Sequence, residues 1–317
     1  MSDLLGAINS PVIQGFLSAS MRLAVPILLA ALGGIYNERS GVLNIGMEGM
    51  MIVGSLVGFT VGYLSHSLWL GVVTAVACGV LLGAVLGFFV ITLGANQVVA
   101  GIALNLLCVG LTSLLFRVLF GVGAAPRVTS FVAAPVPVLS DVPILGPLLF
   151  RQSPLVYITY GLVIASFFIF RRTSWGLSII STGENPEAAE TLGVNVVRTR
   201  YLSLMVSGGL CGMGGAFLSV DATGLFIDNM TAGRGYIALA LLILGRRHPI
   251  GLLGAALMFG AADALQLRTQ LLGIGIPFQF MVMLPYVLTM VVLAVFVRRI
   301  DNPAALGIHY RHGEERE

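Results

Sequence analysis

Few side chains in this sequence could do chemistry, and most of them gather in two places. The first is residues 171–200, RRTSWGLSIISTGENPEAAETLGVNVVRTR, where Arg171, Arg172, Glu184, Glu187, Glu190, Arg198 and Arg200 interrupt apolar runs. The second is residues 37–55, NERSGVLNIGMEGMMIVGS, whose Glu48 stands within a long apolar stretch. An acid inside a membrane segment normally faces the bundle interior or an aqueous cavity. Asn44 precedes it by four residues, which on a helix is the same face. Gly46 and Gly49 would loosen such a helix and expose carbonyls to a pathway. The competing reading is that Glu48 and Asn44 only staple their helix to a neighbour. Asn96, Gln97 and Asn105 add amides that both donate and accept, which suits a neutral, polar small molecule.

Other chemistry has little footing. His66, His248, His309 and His312 form no HExxH or His/Cys cluster, and Cys78, Cys108 and Cys211 lie in apolar segments without CxxC spacing. Neither GxSxG nor a glycine-rich phosphate loop with its Lys and Ser occurs. The expectation is therefore no catalytic residue, no metal and no ATP site in this chain. No basic stripe with interleaved aromatics is present, so no nucleic acid partner is expected.

In the first polar stretch, Asn185 is suited to cap a helix and Pro186 to open it. Glu187 falls in the first turn, favourable to the helix dipole. Ala188, Ala189, Glu190, Thr191 and Leu192 continue it, and Gly193 is a natural left-handed stop. This predicts a two-turn helix on the aqueous side, with Ala188, Ala189 and Leu192 as a small apolar face. It reads either as an ordinary surface helix or as a docking knob for a soluble partner.

The rest of the chain must hold these two stretches. Of 317 residues, 57% are hydrophobic and 10% charged, and the mean hydropathy is +0.97. Soluble domains carry about a quarter charged residues, so this is an integral membrane protein embedded in lipid. A span needs about twenty apolar residues. Nine segments qualify or nearly so: 11–36, 42–64, 68–93, 95–120, 154–170, 201–220, 235–244, 250–267 and 278–297. The seventh is short, leaving eight to ten spans possible. Residues 37–39 read as a polar turn. Residues 124–153, carrying prolines and Asp141, read as an irregular extramembrane loop. Gly54, Gly58 and Gly62, Gly79, Gly83 and Gly87, and Gly208, Gly212 and Ala216 recur every four residues, which permits close helix contact. The fold class is all-α: one polytopic bundle over 1–317, with a loop at 173–200 and a tail at 299–317.

With residues 171–200 cytoplasmic, eleven arginines lie inside (39, 171, 172, 198, 200, 246, 247, 298, 299, 311 and 316) and five outside (117, 127, 151, 234 and 268). The positive-inside rule favours that placement, with the N-terminus outside and the C-terminus cytoplasmic. No charged region with a cleavage motif opens the chain, so no removable signal peptide is expected.

TGENPEAAETLGVNV resembles the coupling loop of ABC importer permeases of the simple-sugar, nucleoside and branched-chain amino-acid type. GVLNIGMEGMM resembles the N-terminal signature of their nucleoside members. GANQVVAGIALNLLCVGLTSLL (residues 94–115) and GRGYIALALLILGRRHPIGLLGAALMFG (residues 233–260) resemble further signatures of that family, the former of one of its two nucleoside permeases. The resemblance implies that residues 184–193 fit a cleft on an ATPase subunit, which holds ATP and Mg. It also implies a heterodimer with a second related permease, a substrate-binding lipoprotein outside a bacterial inner membrane, and a nucleoside or purine-like cargo. Two other classes stay open: an ion-coupled carrier or channel using Glu48 and Asp263, and, more remotely, a membrane-embedded enzyme.

Overall fold

A computed structural model describes residues 11–121, 126–137, 140, 142, 146–271, 278–296 and 302–310. Among these there is no strand. Eleven α-helices follow in order: α1 Pro11–Arg39, α2 Met47–Ser65, α3 Leu68–Gly87, α4 Gln97–Phe120, α5 Pro154–Arg172, α6 Ser174–Glu184, α7 Pro186–Thr191, α8 Val196–Ala216, α9 Arg234–Leu244, α10 Pro249–Leu271 and α11 Phe278–Phe296. Wider π-turns extend α3 over Phe88–Thr92 and α8 over Phe217–Ala222.

Helix α8 is the centre. Its most apolar window is 83% buried, against 28% for the peripheral α4. The glycine ladders explain how so many helices reach it. A Cβ on Gly54 or Gly79 would collide with the backbone of Gly212 or Gly208, and one on Gly58 with Ala216. The register gives direction: residues 54 and 58 meet 212 and 216 in parallel, whereas 79 and 83 meet 208 and 204 antiparallel. Helix α1 crosses antiparallel too, Gly33 against Ser207 and Pro26 against Gly214. Alternation of α1, α2, α3 and α8 across the bundle follows from these contacts.

Among the described residues, seven helices are long and apolar enough to cross a membrane, against the nine segments expected. Helix α9 has 11 residues, about 16 Å at the helical rise, and α11 contributes only a short apolar stretch, Gln279–Leu288. The polar turn expected at 37–39 is instead the last turn of α1, and the chain leaves helix only at Ser40. The second helix starts at Met47, not at 42, because residues 40–46 run as irregular backbone into the bundle. The loop expected at 124–153 is irregular over 126–137 but forms a π-turn at Gly146–Phe150, and it is tied by Val128 N–H to Gly224 C=O at 2.8 Å and by Ala134 N–H to Gln152 C=O at 3.0 Å. Asp141 and Pro143 lie outside the described residues.

Candidate functional sites

Two helix N-termini carry most of the polar residues singled out from the sequence. The first is in water. Asn185 Oδ1 accepts the Ala188 N–H at 3.0 Å, Pro186 occupies the first helical position, and Gly193 has φ +84°. The exit is a full Schellman motif: Gly193 N–H donates to Glu190 C=O at 2.8 Å and Val194 N–H to Ala189 C=O at 3.0 Å. Asn195 then caps α8 through the Arg198 N–H at 2.8 Å.

The expected apolar face divides in two. Pro186 and Ala189 pack inward, while Ala188 and Leu192 point outward with Glu184 and Glu187, Leu192 being 83% exposed. The three apolar residues do not form one face because Ala189 lies three residues, about one turn, after Pro186 and shares its buried side. Helix α6 just before α7 was not expected. Thr173 caps it by accepting the Gly176 N–H at 3.1 Å, so the long α5 is followed directly by the two short helices α6 and α7.

The second N-terminus lies inside the bundle. Asn105 is eight residues into α4 from Gln97, about 12 Å along that helix. Its Oδ1 accepts the Gly49 N–H at 2.7 Å and its Nδ2 donates to Ile45 C=O at 2.8 Å and Tyr236 Oη at 2.9 Å. Helix α2 therefore begins deep in the bundle, and Gln97 supports its approach by accepting the Leu43 N–H at 2.7 Å. Opposite it starts α9. Glu48 accepts from the Thr231 hydroxyl at 2.6 Å, from Gly233 N–H at 2.8 Å and from Gly235 N–H at 2.6 Å. A carboxylate is thus the cap of a half-length helix, and two of its three donors, on Thr231 and Gly235, are buried.

The glycines in GRG have separate reasons. Gly233 adopts φ +81°, and a Cβ on Gly235 would stand 2.5 Å from the Glu48 backbone nitrogen. Arg234, expected in an outer loop, lies between them as the first residue of α9, beside Glu48. Non-helical backbone at membrane depth is tolerated only where protein buries it or a cavity hydrates it.

Of the five residues expected along a pathway, four gather here. Asn44, Glu48, Gln97 and Asn105 are all buried. Asn44 lies before α2 rather than on it, so the same-face argument does not apply. Its Nδ2 approaches Ser207 Oγ at 3.3 Å, where Asn37 Nδ2 also donates at 2.7 Å. Asn96 stays apart as the exposed cap of α4, accepting from Val98 and Val99 N–H at 3.0 and 3.2 Å. Asp263 is half-buried on α10 and does not join the bracket. Sequence reasoning missed Thr231, Gly233, Gly235, Ser207 and Tyr236 as bracket members; the GRG spacing was their one local signal.

An ionic knot lies at the C-terminal end of α9, away from the Glu48 cap at its start. Arg247 pairs with Glu38, both buried, and Arg39 Nε donates to Arg247 C=O at 3.1 Å. That bracing holds Arg246 and Arg247 at φ +53° and +51°, a left-handed conformation that costs non-glycine residues energy. On the same end Tyr310 donates to Glu190 of α7. Partial burial and the Glu190 carboxylate push this phenol up to about 12, so it remains the donor.

A bundle of close-packed helices, broken twice at one buried carboxylate and carrying a capped helix in water at one end, defines a polytopic transport permease. The chain belongs to the family described as branched-chain amino acid transport system / permease component, which matches residues 16–296. It is 38% identical to the guanosine ABC transporter permease protein NupQ of Bacillus subtilis, over 93% of this chain and 96% of that one. It is 41% identical to the putative glucose ABC transporter permease protein TsgC13 of Haloferax volcanii, over 83% and 80%. Identity to the nucleoside ABC transporter permease protein NupC of Lactococcus lactis is 34%, over 90% and 93%. No solved structure matches. The chain is thus a multi-pass ABC importer permease and not an enzyme, which sets aside the ion-coupled carrier.

Proposed function

We propose that this permease imports a nucleoside or a purine-like solute, and that α7 is where an ATPase subunit acts on it. The observation that carries the coupling role is Leu192: a leucine 83% exposed on a rigidly capped helix in water has its burial deferred to a partner. Glu184, Asn185, Pro186, Glu187, Ala188, Ala189, Leu192 and Gly193 form the contact, Pro186 and Ala189 as its inner support. ATP and Mg are held by that partner, and this chain needs no cofactor. A second related permease completes the path, and a binding lipoprotein delivers cargo from outside a bacterial inner membrane. The N-terminus lies outside and the tail in the cytoplasm.

Asn44, Glu48, Gln97 and Asn105 act on cargo by fixing the two helix breaks that shape the path. Asn96 marks its cytoplasmic rim. Relatives named for guanosine and for nucleosides support the cargo, whereas a relative named for glucose supports a sugar. Uptake of labelled inosine or adenosine by the reconstituted complex decides between them. Competition by nucleosides and none by glucose or ribose is expected; uptake of free sugar without nucleoside competition rejects the cargo. Thr129, exposed in the loop after α4, tests the orientation. Thr129→Cys should react with an impermeant thiol reagent from the outer side, and reaction only from the cytoplasm inverts the assignment.

A further inference from the structure

Residues 302–310 cross the end of the bundle that carries α7, and their bonds reach nearly every element that ends there. Arg247 Nη2 donates to Asn302 Oδ1 at 2.6 Å. Ala305 is fully buried, and its N–H donates to Gly183 C=O at 2.8 Å, two residues before the cap of α7. Gly307 N–H donates to Gly41 C=O at 3.0 Å, at the head of the irregular segment that leads to Glu48. Arg200 of α8 donates from Nη1 to Ile308 C=O at 3.1 Å and from Nε to Ser40 C=O at 3.2 Å. Its guanidinium also lies 5.9 Å from the centre of the Tyr310 ring. Tyr310 closes the series on Glu190 of α7.

One strap, folded through a turn at 304–307 that Leu306 N–H to Pro303 C=O at 3.0 Å and Ile308 N–H to Ala305 C=O at 3.2 Å close, therefore joins the water-exposed helix to both breaks. At one end it holds α7 through Tyr310. At the other it holds Arg247, and through Arg247 and Glu38 the foot of α9, whose head is capped by Glu48. In the middle it holds Gly41, the entry to α2. Backbone hydrogen bonds tolerate little stretching, so a displacement of α7 must either drag these contacts or break them.

We propose that the strap 302–310 transmits the movement of α7 to the breaks at Glu48, with Tyr310 and Asn302 as positioning residues at its two ends. This rests on the reading of α7 as the ATPase contact. The partner pushes α7, Glu190 pulls Tyr310, and the strap shifts Gly41 and Arg247 together, so that α2 and α9 respond as a pair. Without it, α7 still passes force to α8 through the chain itself, but the two half-buried breaks lose their common link. The part is transport-specific: the strap touches no cargo and holds no nucleotide.

The test uses the full complex in proteoliposomes, measuring uptake and ATP hydrolysis in the same vesicles. Tyr310→Phe removes the bond to Glu190 and keeps the ring over Arg200; Asn302→Ala releases the exposed far end. Both are mild changes near the surface, and membrane yield checks folding. Each variant should keep receptor-stimulated hydrolysis while uptake per ATP falls on the order of fivefold. An unchanged ratio in both variants overturns the proposal, and so does a parallel fall of uptake, hydrolysis and yield, which marks a merely structural strap. Ala189→Pro separates the premise: if it leaves uptake intact, the α7 reading has failed; if it abolishes uptake while the strap variants match wild type, only the strap has failed.

Discussion

Helices α7 and α9 solve the same problem in different media. Each is short, each begins with backbone N–H groups that its own turns cannot satisfy, and each begins under a side-chain oxygen. Asn185 caps α7 from the adjacent position in the chain, with one neutral bond to the Ala188 N–H. Glu48 caps α9 from a helix 183 to 187 residues distant, with a carboxylate that takes three donors. In water the remaining donors of α7 hydrate, so a weak local cap suffices. In the bundle, turn carbonyls take the Arg234 and Tyr236 N–H groups, and the Gly233 and Gly235 N–H groups go to the Glu48 carboxylate, a charged cap that comes from elsewhere and opposes the dipole. A cap in water is therefore a local convenience, whereas a cap in the bundle is a tertiary contact on which the fold depends.

The largest expected effect breaks the interior member. Glu48→Ala strands the Thr231 hydroxyl and two N–H groups, each at about 1–3 kcal/mol, so detergent-purified protein should inactivate at a much lower temperature or fail to accumulate. Glu48→Gln keeps one acceptor oxygen but turns an NH2 toward a donor. Lower yield with unchanged transport per molecule is the outcome expected of a cap. Lower transport at unchanged yield would assign the carboxylate to cargo instead.

Next comes the exterior member. Ala189→Pro removes the Ala189 N–H bond to Asn185 C=O, 3.0 Å in the structure, and an interior proline costs about 3 kcal/mol. Because α7 lies in water, that cost stays local. The protein should insert and accumulate normally while ATP-driven uptake is lost. Undiminished uptake would sink the coupling role.

Asn185→Ala is milder, at about 1 kcal/mol for a lost cap. Hydrogen exchange at the Ala188 amide should quicken while thermal inactivation of the whole protein stays at the wild-type value. A global loss comparable to that of Glu48→Ala would erase the distinction between the two caps.

How much of this the sequence discloses follows from the same contrast. The α7 helix is legible because its cap, its proline and its left-handed glycine lie within nine residues, 185–193. Glu48 is conspicuous as an acid among apolar residues, but its partners Thr231, Gly233 and Gly235 are remote, so stapling and pathway remained equal readings. The break at 40–46 hides in apolar sequence, where hydropathy counts residues and does not register that they leave helix, whereas the one before Arg234 follows Asp228 and Asn229 and falls between the expected segments 201–220 and 235–244. Helix α6, SWGLSIISTGE, is rich in Ser and Gly, weak helix formers, and packing decides it. The glycine ladders are legible because their spacing is itself the contact. The strap at 302–310 is not, since three of its bonds run through its own backbone and leave no side-chain signature.

The smallest effect concerns the other end of α9, where its C-terminal dipole should welcome cations. His248 follows Arg246 and Arg247 there, yet its imidazole is held below its ordinary range, first by burial and then by the positive charges of Arg39 and Arg171. Phe167 meets the ring edge-on at 5.7 Å between centres. Burial, with the two arginines behind it, lowers this imidazole although a helix C-terminus, worth about half a negative charge, favours the cation. The sign follows from proton binding. On acidification the unfolded chain takes up the proton first, near the reference value of about 6.5. Between that pH and the lower folded value the unfolded state holds more protons, so stability declines as pH falls and then levels off. Above about 6.5 His248 contributes no pH dependence. Thermal inactivation of purified protein from pH 7.5 to 5.5, compared with His248→Gln, isolates this group. The wild type should lose more on acidification than the variant; equal slopes would mean that His248 ionises freely and that the arginines do not reach it.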